Sequence, residues 1–420
     1  QDFMMMWPFF FLSVVPLLLS TTVGLTMALV QQQVPRGSGV LKGARRDPYI
    51  EEDMPDWREF RARLMASDLQ SSLTLPTKRL SPENERVALE QTPRLAEELG
   101  KAWAHELGSP EIGGLLLRNP LELQFARAPE DTYWASKLRE FAKMEALGEG
   151  DRGSGGVRVT ERQVRLYRAA TRFLKEQMEN VVAKGKVDGE GKLVVDAAKL
   201  TPAEKKLVEL RQASMDAWQE VLLVLEGSRE GGWSGVVLNR PAAVRSNARL
   251  SAAMCQALAK DEPRGAPMPT PEEFQEAFGE KMACYVGCRQ NDDDQQGSGE
   301  RSGDRAILLS GIPDLPGAEE LAPGLGIFRG GAKAAVDRVL AKEADPFDFK
   351  FFLGAYRWSD RDIHSHVKHG LYTAIATSRA LALKQCIGLP RPLWHELCDL
   401  LGGPIEDVSN AELQKHHQQP

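Results

Sequence analysis

Apolar positions recur along this chain at two spacings, and each spacing predicts its own kind of element. Behind the capping box Thr160-Glu161-Arg162-Gln163, the residues Val164, Tyr167, Leu174, Met178 and Val181 fall on one helical face. A second box, Thr201-Pro202-Ala203-Glu204, puts proline at the first helical position and is followed by Leu207 and Leu210. Upstream, Trp57, Phe60 and Leu64 form a helical stripe behind Asp56, and residues 82–103 read as a further helical region. Residues 187–195 read as a turn and a short strand. Set as a calcium loop with Gly191 sixth, this segment would begin at Lys186 and close at Ala197, without the first acidic ligand or the closing glutamate. No calcium site is assigned there.

Continuous apolar runs predict strands. Residues 112–117 form one, stopped by Asn119-Pro120. Residues 221–225 and 235–238 are two buried-strand runs joined by a glycine-rich turn, which favours a hairpin. Further strands are expected at 283–287, 306–309 and 349–354, while 371–383 mixes strand and helix signals. Residues 392–403 read as a short amphipathic helix with a proline start and a glycine stop, and the polar stretch 404–420 as a loose tail. Glycine-rich residues 148–156 predict a flexible break, residues 264–271 a proline-rich loop, and residues 290–305, with Asp292-Asp293-Asp294, an acidic solvated insertion.

Composition narrows the class. Of 420 residues, 42% are hydrophobic, enough for a sizeable core and incompatible with wholesale disorder or a collagen or coiled-coil rod. Lys+Arg 53 against Asp+Glu 59 leaves a net charge of −6, without the basic excess that phosphate-backbone binding needs, so direct nucleic-acid binding is not expected. Five cysteines are too few for a disulfide scaffold and suit a reduced compartment.

The N-terminal stretch carries a targeting pattern. Residues 3–35 hold no charged side chain, residues 7–30 are strongly apolar, and residues 29–46 carry Arg36, Lys42, Arg45 and Arg46 with no acid. This resembles the bipartite signal-plus-transit leader of an algal plastid protein, with Met4, Met5 or Met6 as initiator and Thr26-Met27-Ala28 as a cleavage site. A plain secretory signal and an uncleaved membrane anchor over residues 7–30 are the alternatives. The expected organisation is a leader at 1–46, a helical arm at 47–102, a main domain at 103–403 and the polar tail at 404–420. After leader removal no membrane association is expected.

Several motifs, in order, resemble the AlgH family, which has no agreed biochemical activity. The most specific is Gly231-Gly232-Trp233-Ser234-Gly235-Val236-Val237-Leu238-Asn239-Arg240-Pro241, similar to the family's apolar strand leading into an Asn-Arg-Pro loop. Gly326-Ile327-Phe328-Arg329-Gly330-Gly331 resembles its second glycine turn, with a helix following at 333–340. Phe351-Phe352-Leu353-Gly354-Ala355-Tyr356-Arg357-Trp358-Ser359 resembles its aromatic-Gly-x-x-x-Trp segment. Residues 392–403 resemble its final helix. Trp103-Ala104-His105 and residues 110–117 resemble the first strand of plastid-type members. The chain departs from the family at Gly287-Cys288, where a Gly-Gly pair is usual, and at Leu309-Ser310, where members tend to have a histidine.

The resemblance implies an α+β fold of bent or coiled sheets flanked by helices, with a helical insertion at about residues 130–214. It also implies a regulatory or protein-binding role more than catalysis, with a protein partner. The motif residues need no chemistry to explain them and read first as keeping the fold, Asn239 as a turn-former and Pro241 as the end of a ladder; the alternative is a candidate binding surface around Asn239, Arg240, Gly330, Gly331 and Trp358, Arg240 being able to meet a carboxylate or phosphate or to pair internally. The competing expectation is an enzyme acting on a small anionic or phosphorylated substrate at that strand end.

Other chemistry finds little support. No catalytic set stands out: there is no Gly-x-Ser-x-Gly elbow, no phosphate loop, and Gly324-Leu325-Gly326 lacks the later glycine of a dinucleotide turn. Cys284 and Cys288 have no second pair at zinc spacing. His364, His366 and His369 cannot share one face of either a helix or a strand. No metal or cofactor is expected.

Overall fold

The computed structural model describes residues 80–128, 132–144, 159–187, 193–242, 247–279, 281–288 and 305–417. The leader, the Trp57 stripe, the glycine-rich break and all but the last residue of the acidic interval 290–305 lie outside the described residues.

The fold is α+β. Six strands build an antiparallel sheet in the order β1 (Ala104–Glu106), β13 (Tyr372–Thr377), β2 (Leu115–Arg118), β5 (Val221–Ser228), β6 (Gly232–Val237) and β12 (Tyr356–Trp358). Five more form a second sheet in the order β7 (Cys284–Val286), β11 (Phe349–Leu353), β8 (Ala306–Ser310), β10 (Phe328–Gly330) and β9 (Ala318–Glu320), where only the β7–β11 pair is parallel. A separate ribbon pairs β3 (Gly185–Val187) with β4 (Leu193–Val195).

Side-chain alternation along the strands sorts the apolar residues into layers. Val221, Leu223 and Leu225 of β5 enter a central core that Ile307 and Leu309 of β8 and Phe352 of β11 enter from the second sheet. Leu222 and Val224 face the other way, against Ile363 and Val367 of α10 (Asp360–Lys368). On the far side of the second sheet, Leu308, Phe349 and Phe351 meet Met254 of α7 (Ala248–Leu258), Phe274 and Phe278 of α8 (Pro271–Phe278) and Val336 of α9 (Ala332–Leu340). The central strands are thus covered on both faces, which explains their continuous apolar runs. The stretches around Leu116 and Leu238 share one sheet: β2 pairs with β5, and β5 with β6 in the expected hairpin.

The helical segments add to this body. Ala88 of α1 (Pro82–Gln91) and Leu99 of α2 (Ala96–Leu99) lie in the central core, so this part of the expected arm is packed against the sheets. Four helices share a core of their own: α3 (Leu121–Arg127), α4 (Tyr133–Met144), α5 (Glu161–Val182) and α6 (Pro202–Asp216), which meet through Phe125, Trp134, Leu138, Phe173 and Leu207. Both expected capping boxes form, at Thr160 and Thr201. After β13 the chain turns into α11 (Arg379–Leu383), resolving the mixed signal at 371–383. α12 (Leu393–Leu401) buries Trp394, whose Nε1 donates to the Arg118 carbonyl at 2.9 Å.

The expectation of a loose polar tail is corrected. Residues Pro404–His417 form helix α13, in which Ile405 and Val408 are buried in the central core. Two apolar anchors three residues apart, followed by a polar remainder, give too weak a periodicity to show in the sequence.

A two-residue connection joins the sheets. The chain leaves β11 and enters β12 across Gly354 and Ala355, passing from the second sheet to the first. Beside this crossing, a Cβ on Gly287 would lie 2.1 Å from the Gly354 carbonyl oxygen, so only glycine permits the approach. The cysteines at 255, 284, 288, 386 and 398 form no disulfide and are buried. Among the described residues, no helix is long and apolar enough to cross a membrane.

Candidate functional site

The Asn-Arg-Pro segment sits where β6 ends, and its side chains turn inward to the connection between α6 and β5. Gln219 in that connection has a left-handed backbone, φ 54°. Asn239 brackets it: its Oδ1 accepts from the Val221 N–H at 3.0 Å, and its Nδ2 donates to the Gln219 carbonyl at 2.8 Å. Arg240 closes on the same connection. Its guanidinium donates to the carbonyls of Asp216 at 2.9 Å and Trp218 at 3.3 Å, and its Nε lies 3.4 Å from a carboxylate oxygen of the fully buried Glu220. The guanidinium thus hydrogen-bonds two carbonyls and forms an ion pair with one carboxylate, all internal.

Pro241 continues the chain toward the second sheet. It forms a β-bridge with Tyr285, while Val286 N donates to the Arg240 carbonyl at 2.9 Å and Ala242 N to the Cys284 carbonyl at 2.8 Å. The motif thus binds three things together: the entrance to β5, the end of β6 and the edge strand β7.

The second glycine turn has a different arrangement. Gly330 and Gly331 have φ 89° and 76°, and Gly331 is the N-cap of α9. A helix N-terminus attracts anions. Here Glu262 supplies one, its Oε1 accepting from the Ala332 N–H at 2.9 Å. Burial raises the Glu262 carboxyl above its usual range, and the backbone N–H bond offsets part of that rise. Next to it, Arg329 is held by both oxygens of Asp261 and by Glu226.

The five expected surface residues do not form one patch. Asn239 and Arg240 follow β6. Trp358 is buried and pairs with Trp233 at the opposite end of that strand, about 20 Å away at the usual rise per residue. Gly330 ends a strand of the second sheet and Gly331 follows it as the N-cap of α9. Asn239 and Arg240 are brought together; the other three stand elsewhere.

The histidine segment forms α10. His364 Nδ1 contacts the Asp360 carbonyl at 2.8 Å, and His369 Nδ1 contacts Ser365 Oγ at 2.9 Å. His366 lies beside the Tyr372 ring, where burial lowers its pKa. Among the described residues, no group of three His, Cys, Asp or Glu side chains is placed to hold a metal ion.

Sequence reasoning missed the residues that fill these places: Glu220, Gln219, Glu262 and Asp261. One signal was available for Glu220, since a charge directly preceding a fully buried run must find a partner. It also missed a buried polar set. Gln219 Nε2 meets His395 Nε2 at 2.7 Å, and His395 Nδ1 meets Ser409 Oγ at 2.9 Å. With the amide nitrogen donating to Nε2, the ring proton sits on Nδ1 and is donated to Ser409. Lys350 is fully buried, donating to the carbonyls of Ala382 and Lys384, and burial pulls its ammonium down to about 8.

No family model and no curated protein matches this chain. It is similar to the solution structure of the AlgH protein from Pseudomonas aeruginosa, with 17% identity and a TM-score of 0.27, covering 50% of this chain and 88% of that one. At that score the likeness assigns no residue a role.

Proposed function

We propose that this chain is an AlgH-like protein that works by binding another protein, in a regulatory capacity and in the plastid, rather than by chemistry at the Asn239–Arg240 strand end. The observation that carries this reading is that the half-exposed Arg240 guanidinium is already engaged by Glu220 and two backbone carbonyls. A small anion would have to displace contacts that hold the β5 entrance in place. The occupied N-terminus of α9 supports the same reading, since Glu262 already takes the position an anionic substrate would use. The motifs from Gly231 to Trp358 favour the family, and the apolar-then-basic leader favours the plastid.

Calorimetric titration with inorganic phosphate and with a sugar phosphate tests the central claim. The wild-type chain should give no saturable heat. Saturable binding that Arg240→Gln abolishes without lowering the melting temperature would establish the enzyme-like alternative instead. Fusing residues 1–46 to a fluorescent reporter tests the compartment: plastid fluorescence is expected, and secretion or surface retention would overturn it.

A further inference from the structure

We propose that the C-terminal end of α10 covers a carboxylate-binding site, in which Arg118 and His366 together hold the carboxylate of a free acid or of a partner's acidic side chain. This goes beyond the reading above and does not depend on it.

Arg118 is the last residue of β2 and follows Leu116 on the face of the first sheet that α10 covers. Only 8% of it is exposed. Its guanidinium lies 5.3 Å from the centroid of the Tyr372 ring, and among the described residues its Nε has no hydrogen-bond partner. Glu220 stands across the ladder, its carbonyl accepting from the Arg118 N–H at 2.9 Å, but its carboxylate pairs with Arg240. His366, in the last turn of α10, meets the same aromatic ring at 6.0 Å between centroids. Its Nδ1 is likewise buried without a hydrogen-bond partner among the described residues. Two unsatisfied polar groups thus converge on Tyr372 from different elements.

A buried guanidinium without an acceptor lowers the stability of the empty fold, and a ring face compensates only in part. A carboxylate would meet the Nε edge through two parallel N–H bonds, with His366 Nδ1 as a further donor. Burial disfavours the double charge of phosphate more than the single charge of a carboxylate, so the site selects a monoanion. At the end of α10, Lys368 and His369 are exposed, and Lys368 draws anions toward the opening.

The groups facing His366 set its response to pH. Arg118 on β2 and Tyr372 on β13 lie against it, Asp362 and His369 share its helix, and Glu220 on β5 stands beyond Arg118. Burial, and then the Arg118 charge, hold the imidazole below its usual pKa, so it is neutral in the empty site at pH 7. A bound carboxylate opposes both effects. Binding therefore takes up a proton and tightens as pH falls.

Calorimetric titration of the full chain with acetate and with a hexaglutamate peptide tests this, inorganic phosphate being the control that gives no heat. A carboxylate probe should bind at one site, roughly fivefold tighter at pH 6 than at pH 8. Arg118→Met should abolish that binding and raise the melting temperature, because it removes an uncompensated charge and keeps the bulk. His366→Ala should weaken binding about tenfold and flatten its pH dependence. Acetate as tight as hexaglutamate identifies a free acid as the ligand; a tighter peptide identifies a partner's acidic segment. Heat from neither probe, binding that survives Arg118→Met, or a lower melting temperature in that variant would each overturn the proposal.

Discussion

The Asn239–Arg240 corner and the Gly330–Gly331 turn look alike as sequence, since each offers groups that anions favour. In the folded chain both are filled from within, but by opposite means. At the corner a half-exposed cation is engaged by the protein's own carboxylate and carbonyls; at the turn a carboxylate occupies a helix N-terminus. The corner is consequently a joint, loaded by pairing between distant segments. The turn is a cap, loaded by a carboxyl that burial disfavours in its charged form. A residue type able to bind a ligand reports a binding site only when its partners have not already been supplied.

Substitutions should separate joint from cap. The largest effect is expected at the corner: Asn239→Ala leaves the Val221 N–H and the Gln219 carbonyl unpaired, a loss of about 2–4 kcal/mol in chemical denaturation. Asn239→Asp still accepts from Val221 and should recover roughly half of that loss. If both variants match the wild type, the corner is not a joint. At the turn, Gly331→Ala forces an L-residue to φ 76° with its Cβ 3.0 Å from the Pro316 carbonyl, which should cost roughly 2–3 kcal/mol. A neutral result would mean the turn relaxes, and Gly331 is not required there.

The smallest effect is a slope. Because the folded state holds the Glu262 carboxyl above its usual range, its contribution to stability is fully present at low pH. It is lost as pH rises through and above the ordinary carboxylate range. Glu262→Gln should remove that loss, so its denaturation midpoint should gain on the wild type between pH 4 and pH 7. A gain for the wild type instead would show that the helix N-terminus outweighs burial.

Much of the scaffold was legible because local physics decided it. The capping boxes at Thr160 and Thr201 form from residues three apart, and the β5–β6 hairpin from neighbouring runs. The unbroken apolar run 221–225 announced burial on both faces. The Asn-Arg-Pro motif and its structural role were legible, but its partners were not, because Glu220 and Gln219 precede it by some twenty residues and are unremarkable alone. The helix α13 was hidden for a related reason: beside its two core anchors Ile405 and Val408, its partners are Tyr167, Glu122 and His395, of which only the last lies near it in sequence. Partners supplied by tertiary contact leave no periodic trace.

The strand order of the first sheet has a consequence for how the chain is made. β13 lies between β1 and β2, although more than two hundred and fifty residues of synthesis separate it from them. A nascent polypeptide emerging from the ribosome therefore carries two facing strand edges with a vacancy one strand wide, and nothing it has yet translated belongs there. Folding should be slow and late, completed only after Thr377 leaves the exit tunnel, and chains stalled before that point should be strong clients for chaperones that shield unpaired edges.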